Sequence, residues 1–265
     1  MAALAPEKID GAQTIDGVIE RLDEIIAWAI GEESRLGYFA ALYRKVTLKV
    51  KEGIQIGRFE DGPRIERLDV IFANRYLDAF SSFLQGERAS GCWMVAFGAA
   101  SAFRPIILQH LLLGINAHIN FDLGIAAAQT SPGSQIASLK RDFDEINKIL
   151  AGLVMEVENE INQVSPWINL LDHIDPSLDR AIINFSLDKA RAAAWDNALE
   201  LASISPREWG PLLGLLDFKA ASLGKLVRNP PGLIFKLGLF VIRMRESNDV
   251  AEVIETLNET PSEGV

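Results

Sequence analysis

The chain of 265 residues has one cysteine and only three histidines, and its 26 Lys and Arg are outnumbered by 36 Asp and Glu. Each shortage excludes something. The lone Cys92 rules out an intrachain disulfide and any Cys-based zinc site. The three histidines, His110, His118 and His173, cap any His-rich metal centre, so carboxylates would have to complete it. A formal net charge of −10 argues against nucleic acid as a partner, because phosphate contacts need clustered Lys and Arg. No repeat or low-complexity segment is visible, and no alternating run competes convincingly as a strand. With 49% hydrophobic residues, a chain of this length buries a core large enough to need neither disulfides nor a structural metal.

What is present is helical periodicity. Ile15, Val18, Ile19, Leu22, Ile25, Ile26 and Ala29 recur at three and four, with Thr14 as the expected N-cap. Similar patterns predict helices over 36–50, 65–85, 91–103, 106–128 and 136–164. Others open at Pro176 and after the Ser205–Glu208 capping box, and two shorter ones finish the chain. The expectation is one all-α domain over 1–258, a bundle of about nine or ten helices around a buried central helix, followed by a polar tail at 259–265. Met1–Thr14 has Glu7, Lys8 and Asp10 where a signal peptide needs apolar residues, so a cytoplasmic location is expected. The apolar region Gly91–Ala128 is broken by Arg104–Pro105 and carries several polar residues in its second half, so no transmembrane segment is expected.

Within 106–128 the polar side chains are the informative ones. At about 100° per residue, His110, Gly114, His118 and Asp122 fall on one slanting stripe. His118 and Asp122 are i,i+4 neighbours, close enough to hydrogen-bond or to share a ligand. Gly114 removes a side chain from that stripe at a cost of about 1 kcal/mol in helix propensity, which implies room above it for a substrate. Two chemistries fit the stripe. In one, His118 is a general acid or base oriented by Asp122, with His110 on the substrate. In the other, His110, His118 and Asp122 ligate one or two divalent metal ions, zinc the best fit, and a metal-bound water attacks. Against both stands a self-satisfied structural His–Asp pair.

If the turn at Thr130–Ser134 joins antiparallel helices, Asp122 faces Lys140–Asp142, which makes Asp142 a candidate fourth ligand. Asp69, Arg75 and Tyr76 share a face of the 65–85 helix and form either a buried network or a substrate-binding arc. Gln109, Asn116 and Asn120, on the opposite side of the central helix, are expected to tie neighbouring helices. Arg191 is expected to stack on Trp195, four residues on, and His173 to sit at a helix junction.

The string His110-Leu-Leu-Leu-Gly-Ile-Asn-Ala-His118-Ile-Asn-Phe-Asp122-Leu123 resembles the hallmark box of a bacterial and fungal family known only as a domain of unknown function. Arg191-x-x-Ala194-Trp195 is similar to a second segment of it. That resemblance implies a soluble all-α domain and a family-level role for the His/Asn/Asp helix, without a reaction. His118-x-x-x-Asp122 is also similar to the zinc-binding His-x-x-x-Asp of the all-α phospholipase C group. Those enzymes use several further histidines and an N-terminal tryptophan, and here only His110 and His173 are left over.

Between Lys219 and Arg245 lie six basic residues and no acidic one, so the negative charge resides elsewhere in the chain. This stretch reads either as a core helix with snorkelling cations or as a weak contact for an anionic membrane. Together these features point to an enzyme acting on a small, largely apolar substrate by His/Asp acid–base or metal-assisted, hydrolase-like chemistry. The alternative is a non-enzymatic helical module that binds a lipid or another apolar ligand.

Overall fold

The computed structural model describes residues 9–168 and 187–259, which leaves His173 and the helix start at Pro176 outside the described residues. Helix α1 (Ile15–Gly31) begins where expected, with the Thr14 hydroxyl accepting the Gly17 N–H at 3.1 Å. After α2 (Gly37–Gln55), α3 (Gly62–Leu84) starts three residues earlier than its apolar pattern, because Asp61 caps the Arg64 N–H and Pro63 occupies the first turn. The short α4 (Gly91–Phe97) stops at Gly98 instead of reaching Phe103. Asp217 holds its first N–H groups, accepting from Gly91 and Cys92 at 2.8 Å each.

The remaining elements are α5 (Ile107–Thr130), α6 (Ile136–Val164), α7 (Leu187–Ser203), α8 (Gly210–Arg228), α9 (Leu233–Arg243) and α10 (Val250–Asn258). The described residues thus form ten helices and no strand, in an all-α bundle.

Helix α5 is the axis of the bundle. It is long and apolar enough to cross a membrane, yet α2, α3, α4, α7 and α8 pack around it and bury it. That ring of neighbours is why its sequence is apolar around most of its circumference. Its C-terminal half lies so close to α7 that a Cβ at Gly124 would meet the Ala194 carbonyl at 2.8 Å. Two of the three amides of α5 join helices as the sequence suggests: Gln109 donates to the Val227 carbonyl at 2.6 Å and Asn116 to the Ala220 carbonyl at 2.8 Å, whereas Asn120 donates to Asn116 Oδ1 on its own helix at 3.0 Å. On the other flank, the buried Lys45 of α2 pairs with Glu156 at 3.1 Å and with Glu160, fixing α2 to α6.

One feature of α5 is invisible to periodicity. Residues His118–Leu123 form a π-helical turn inside the α-helix. Such turns cost backbone hydrogen-bond geometry and occur often at functional sites. Here the wide turn coincides with the His-Ile-Asn-Phe-Asp-Leu string, and it breaks the constant angular step on which the polar stripe depends.

Candidate functional site

A cavity of about 580 Å³ lies between α2, α3, α5, α6 and the first turns of α7. That is within the range of small-molecule sites. Its walls are aliphatic: Leu42 and Val46 from α2, Leu112 and Ile115 from α5, Leu150 and Leu153 from α6. The exposed Glu158 stands among the lining residues, as do Asn162 and Arg191. One end is aromatic and polar, where Phe39, Tyr43, Asp69, Phe72 and His118 meet the cavity.

His118 is the centre of that end. Its imidazole stacks face to face on Phe72, with ring centroids 3.4 Å apart and planes 8° apart, and Tyr43 stands edge-on at 4.5 Å. Nδ1 is 3.5 Å from Asp122 Oδ2, and neither ring nitrogen makes a hydrogen bond. Burial lowers its pKa; the Asp122 carboxylate works in the opposite direction and Arg75 adds to the lowering. The result is a neutral imidazole at pH 7, held by stacking, with a free nitrogen.

Asp122 is more firmly held than the histidine it faces. Arg75 Nε donates to Oδ1 and Trp93 Nε1 to Oδ2, each at 2.8 Å. Arg75 also lies over the Phe121 ring at 5.4 Å. One carboxylate therefore joins α3, α4 and α5, with its Oδ2 also 3.5 Å from His118 Nδ1.

Two further polar groups share the cavity end without partners. The Tyr43 hydroxyl is buried and makes no hydrogen bond; burial, reinforced by the charges of Asp69 and Asp122, raises its pKa. Asp69 Oδ2 is likewise buried and unpaired. Desolvation, helped by Glu66, pushes the Asp69 pKa up to about 7, and no cation counters it.

Several residues that share a stripe or an arc in the sequence part company in the structure, for identifiable reasons. His110 does not share the cavity. It lines a separate void of about 20 Å³ with Arg35, Phe39 and Trp93, and stands edge-on to Tyr38 at 5.7 Å. Burial, then Arg35, Arg243 and Arg228, bring its pKa down to about 3. Gly114 lines that same small void, and the space above it is filled, because a Cβ there would lie 2.4 Å from Phe39. Asp142 does not face Asp122. It accepts from the Glu60 and Asp61 N–H groups at 2.7 and 3.1 Å and from Arg64 at 2.9 Å, anchoring the loop before α3 to α6.

His110, His118, Asp122 and Asp142 therefore do not form the expected metal set. Among the described residues no three His, Cys, Asp or Glu side chains are grouped to hold a metal ion. Of the arc on α3, Asp69 reaches the cavity. Arg75 serves Asp122, and Tyr76 packs its ring against Phe39 and Trp93 at 5.2 Å with its hydroxyl unpaired. Arg191 stacks on Phe143 at 4.4 Å instead of on Trp195, over which Lys140 lies at 5.4 Å.

Phe39, Tyr43, Phe72 and Trp93 escape a reading of the sequence because each sits on the apolar face of its own helix. Tyr43 carries the one available signal, being among only three tyrosines in the chain.

Neither the curated proteins nor the solved structures contain a match to this chain. A family model does match, over residues 15–230, and its span takes in α1 to α8 with the whole cavity end and the π-turn. The chain belongs to the family of unknown function DUF5995.

Proposed function

We propose that this protein is an enzyme acting on a small amphiphilic molecule, whose apolar part fills the cavity and whose polar end meets His118. The observation that carries this reading is the convergence of three unpartnered buried polar groups, His118, Tyr43 and Asp69, at one end of a largely aliphatic cavity. Buried polar atoms without partners cost roughly 1–3 kcal/mol each, so a ligand that supplies those hydrogen bonds is strongly favoured. His118 takes the role of general base: neutral, fixed on Phe72, and oriented through Nδ1 by a carboxylate that Arg75 and Trp93 hold in place. The approach of 3.5 Å is looser than a working hydrogen bond, as is common in a site without its substrate.

The electrostatics favour particular polar ends. Asp69 has Glu66 as its charged neighbour and no cation, so an alcohol or amine that donates to it is preferred over a carboxylate. A second reading has its own support. Asp122 is so fully engaged by Arg75 and Trp93 that it serves equally as a structural hub, which would make the protein a carrier of the same amphiphile.

The deciding experiment is native mass spectrometry of the full chain with long-chain alcohol, amine and carboxylate probes that each carry an ester bond next to the polar end. Solvent extraction then recovers each probe after prolonged incubation. Binding of an alcohol or amine probe whose ester is hydrolysed by the wild type, water adding to the carbonyl and the alcohol leaving, and which is bound but left intact by His118→Gln, is the expected result. A probe bound and recovered intact from the wild type selects the carrier. Absence of binding by every probe overturns both readings.

A further inference from the structure

Helix α9 is exposed on the wrong face for a water-facing helix. Phe235, Leu239 and Ile242 are buried against Ile106, Leu112 and Leu113 in a small core of their own. The outward side ought then to be polar. Instead Leu233, Ile234 and Leu237 are 84, 69 and 62% exposed, and Phe240 and Met244 are half-exposed. Lys236 is the single exposed charge within the helix. Two contacts extend the apolar patch beyond α9. Arg243 donates to the Phe103 carbonyl and lies over its ring at 5.0 Å, and Arg245 lies over Trp167 at 5.0 Å. Both aromatic rings are themselves about half-exposed. An apolar patch of this extent on a protein surface marks an interaction site.

The charge around it identifies the occupant. Lys219, Lys225, Arg228, Lys236 and Arg245 are exposed, and no acidic residue occurs from 219 to 245, in a chain whose net charge is −10. A second copy of the chain would bring the same cations against these. A surface of anionic lipid headgroups complements them, and its acyl region accepts the leucines and aromatic rings. From this juxtaposition we infer that α9 lies in the plane of an anionic membrane surface, with Leu233, Ile234, Leu237 and Phe240 below the headgroups and the flanking cations at their level. Trp167 then sits at the depth where tryptophan is enriched at membrane interfaces. Ile168, its chain neighbour, lines the cavity and packs on the α9 core, so the docked face adjoins the cavity wall.

The test is vesicle flotation of the full chain with phosphatidylcholine alone and with added phosphatidylserine. The prediction is co-flotation with the anionic vesicles at low salt, weakened by raised salt and lost in the double variant Leu233→Glu/Leu237→Glu. Those two side chains are exposed, so an unchanged melting temperature confirms that the variant is folded. Failure to float at low salt overturns the inference, as does equal flotation of the folded double variant. Sedimentation velocity covers the remaining occupant: a concentration-dependent dimer abolished by the same double substitution overturns the inference in favour of a second copy of this chain.

Discussion

Phe39 occupies the space that a side chain at Gly114 would need, for a Cβ at that position would lie 2.4 Å from its ring. The ring cannot easily withdraw, since Tyr76 stands edge-on at 5.2 Å and Trp93 is tilted against it at 5.7 Å. Glycine is thus required here by close helix packing between α2 and α5. Gly114→Ala gains helix propensity but overpacks this contact, with an expected loss of about 1–3 kcal/mol. Urea denaturation measures it; a variant as stable as the wild type would show that Phe39 gives way freely.

Asp122 holds three helices through Arg75 and Trp93, and Arg75 is only a quarter exposed. Asp122→Asn removes the charge from this pair and leaves the guanidinium uncompensated, at a cost on the order of 3 kcal/mol. Chemical denaturation of the variant should show it. A loss below about 1 kcal/mol, the value of a surface pair, would mean that the carboxylate is not the hub described.

Two buried groups pull stability in opposite directions with pH. Asp69, raised from 3.8 to about 7, contributes stability that is complete below its unfolded value and is lost as pH rises from there through about 7. His110, lowered from 6.5 to about 3, contributes stability that is complete above 6.5 and is lost as pH falls toward 3. Asp69→Asn should therefore gain on the wild type between about pH 4 and 7, with a slope of at most about 1.4 kcal/mol per pH unit. His110→Gln should gain on it as pH drops below 6.5. Unfolding free energies across this range give the slopes, and parallel curves for wild type and variant would contradict the assignment.

Filling the cavity separates ligand binding from folding. Leu150, partly exposed on α6, lines the cavity without belonging to the fully buried core. Leu150→Trp should abolish binding of a long-chain fluorescent probe while shifting the unfolding midpoint little. Unchanged probe affinity would place the ligand elsewhere.

Much of the fold is legible in one dimension. The three-and-four spacing of Ile15 to Ala29, the Thr14 cap and the largely apolar circumference of the 106–128 segment report local geometry and total burial, both of which a sequence expresses directly. The importance of the central helix follows from the same fact: a polar group inside an apolar segment needs a reason, and His118 and Asp122 do lie 3.5 Å apart in the core. The relation of that helix to its neighbours is less accessible. A simple hairpin between α5 and α6 puts Asp142 opposite Asp122, whereas in the structure the loop before α3 claims it.

Periodicity, caps and the cost of burying polar groups are properties of the chain itself. They suffice to set the helices, the absence of strands among the described residues, and the identity of the buried helix. Which groups share a site is settled by packing in three dimensions. A π-turn at His118–Leu123 breaks the regular angular step between His118 and Asp122, His110 turns into a separate small void, and Phe39 closes the gap at Gly114. The cavity is made by five helices, and residues that face it, such as Tyr43, Asp69, His118, Leu150 and Arg191, have no periodic relation to one another. Contact across helices depends on interaxial distance and rotation, which residue spacing within one helix does not encode.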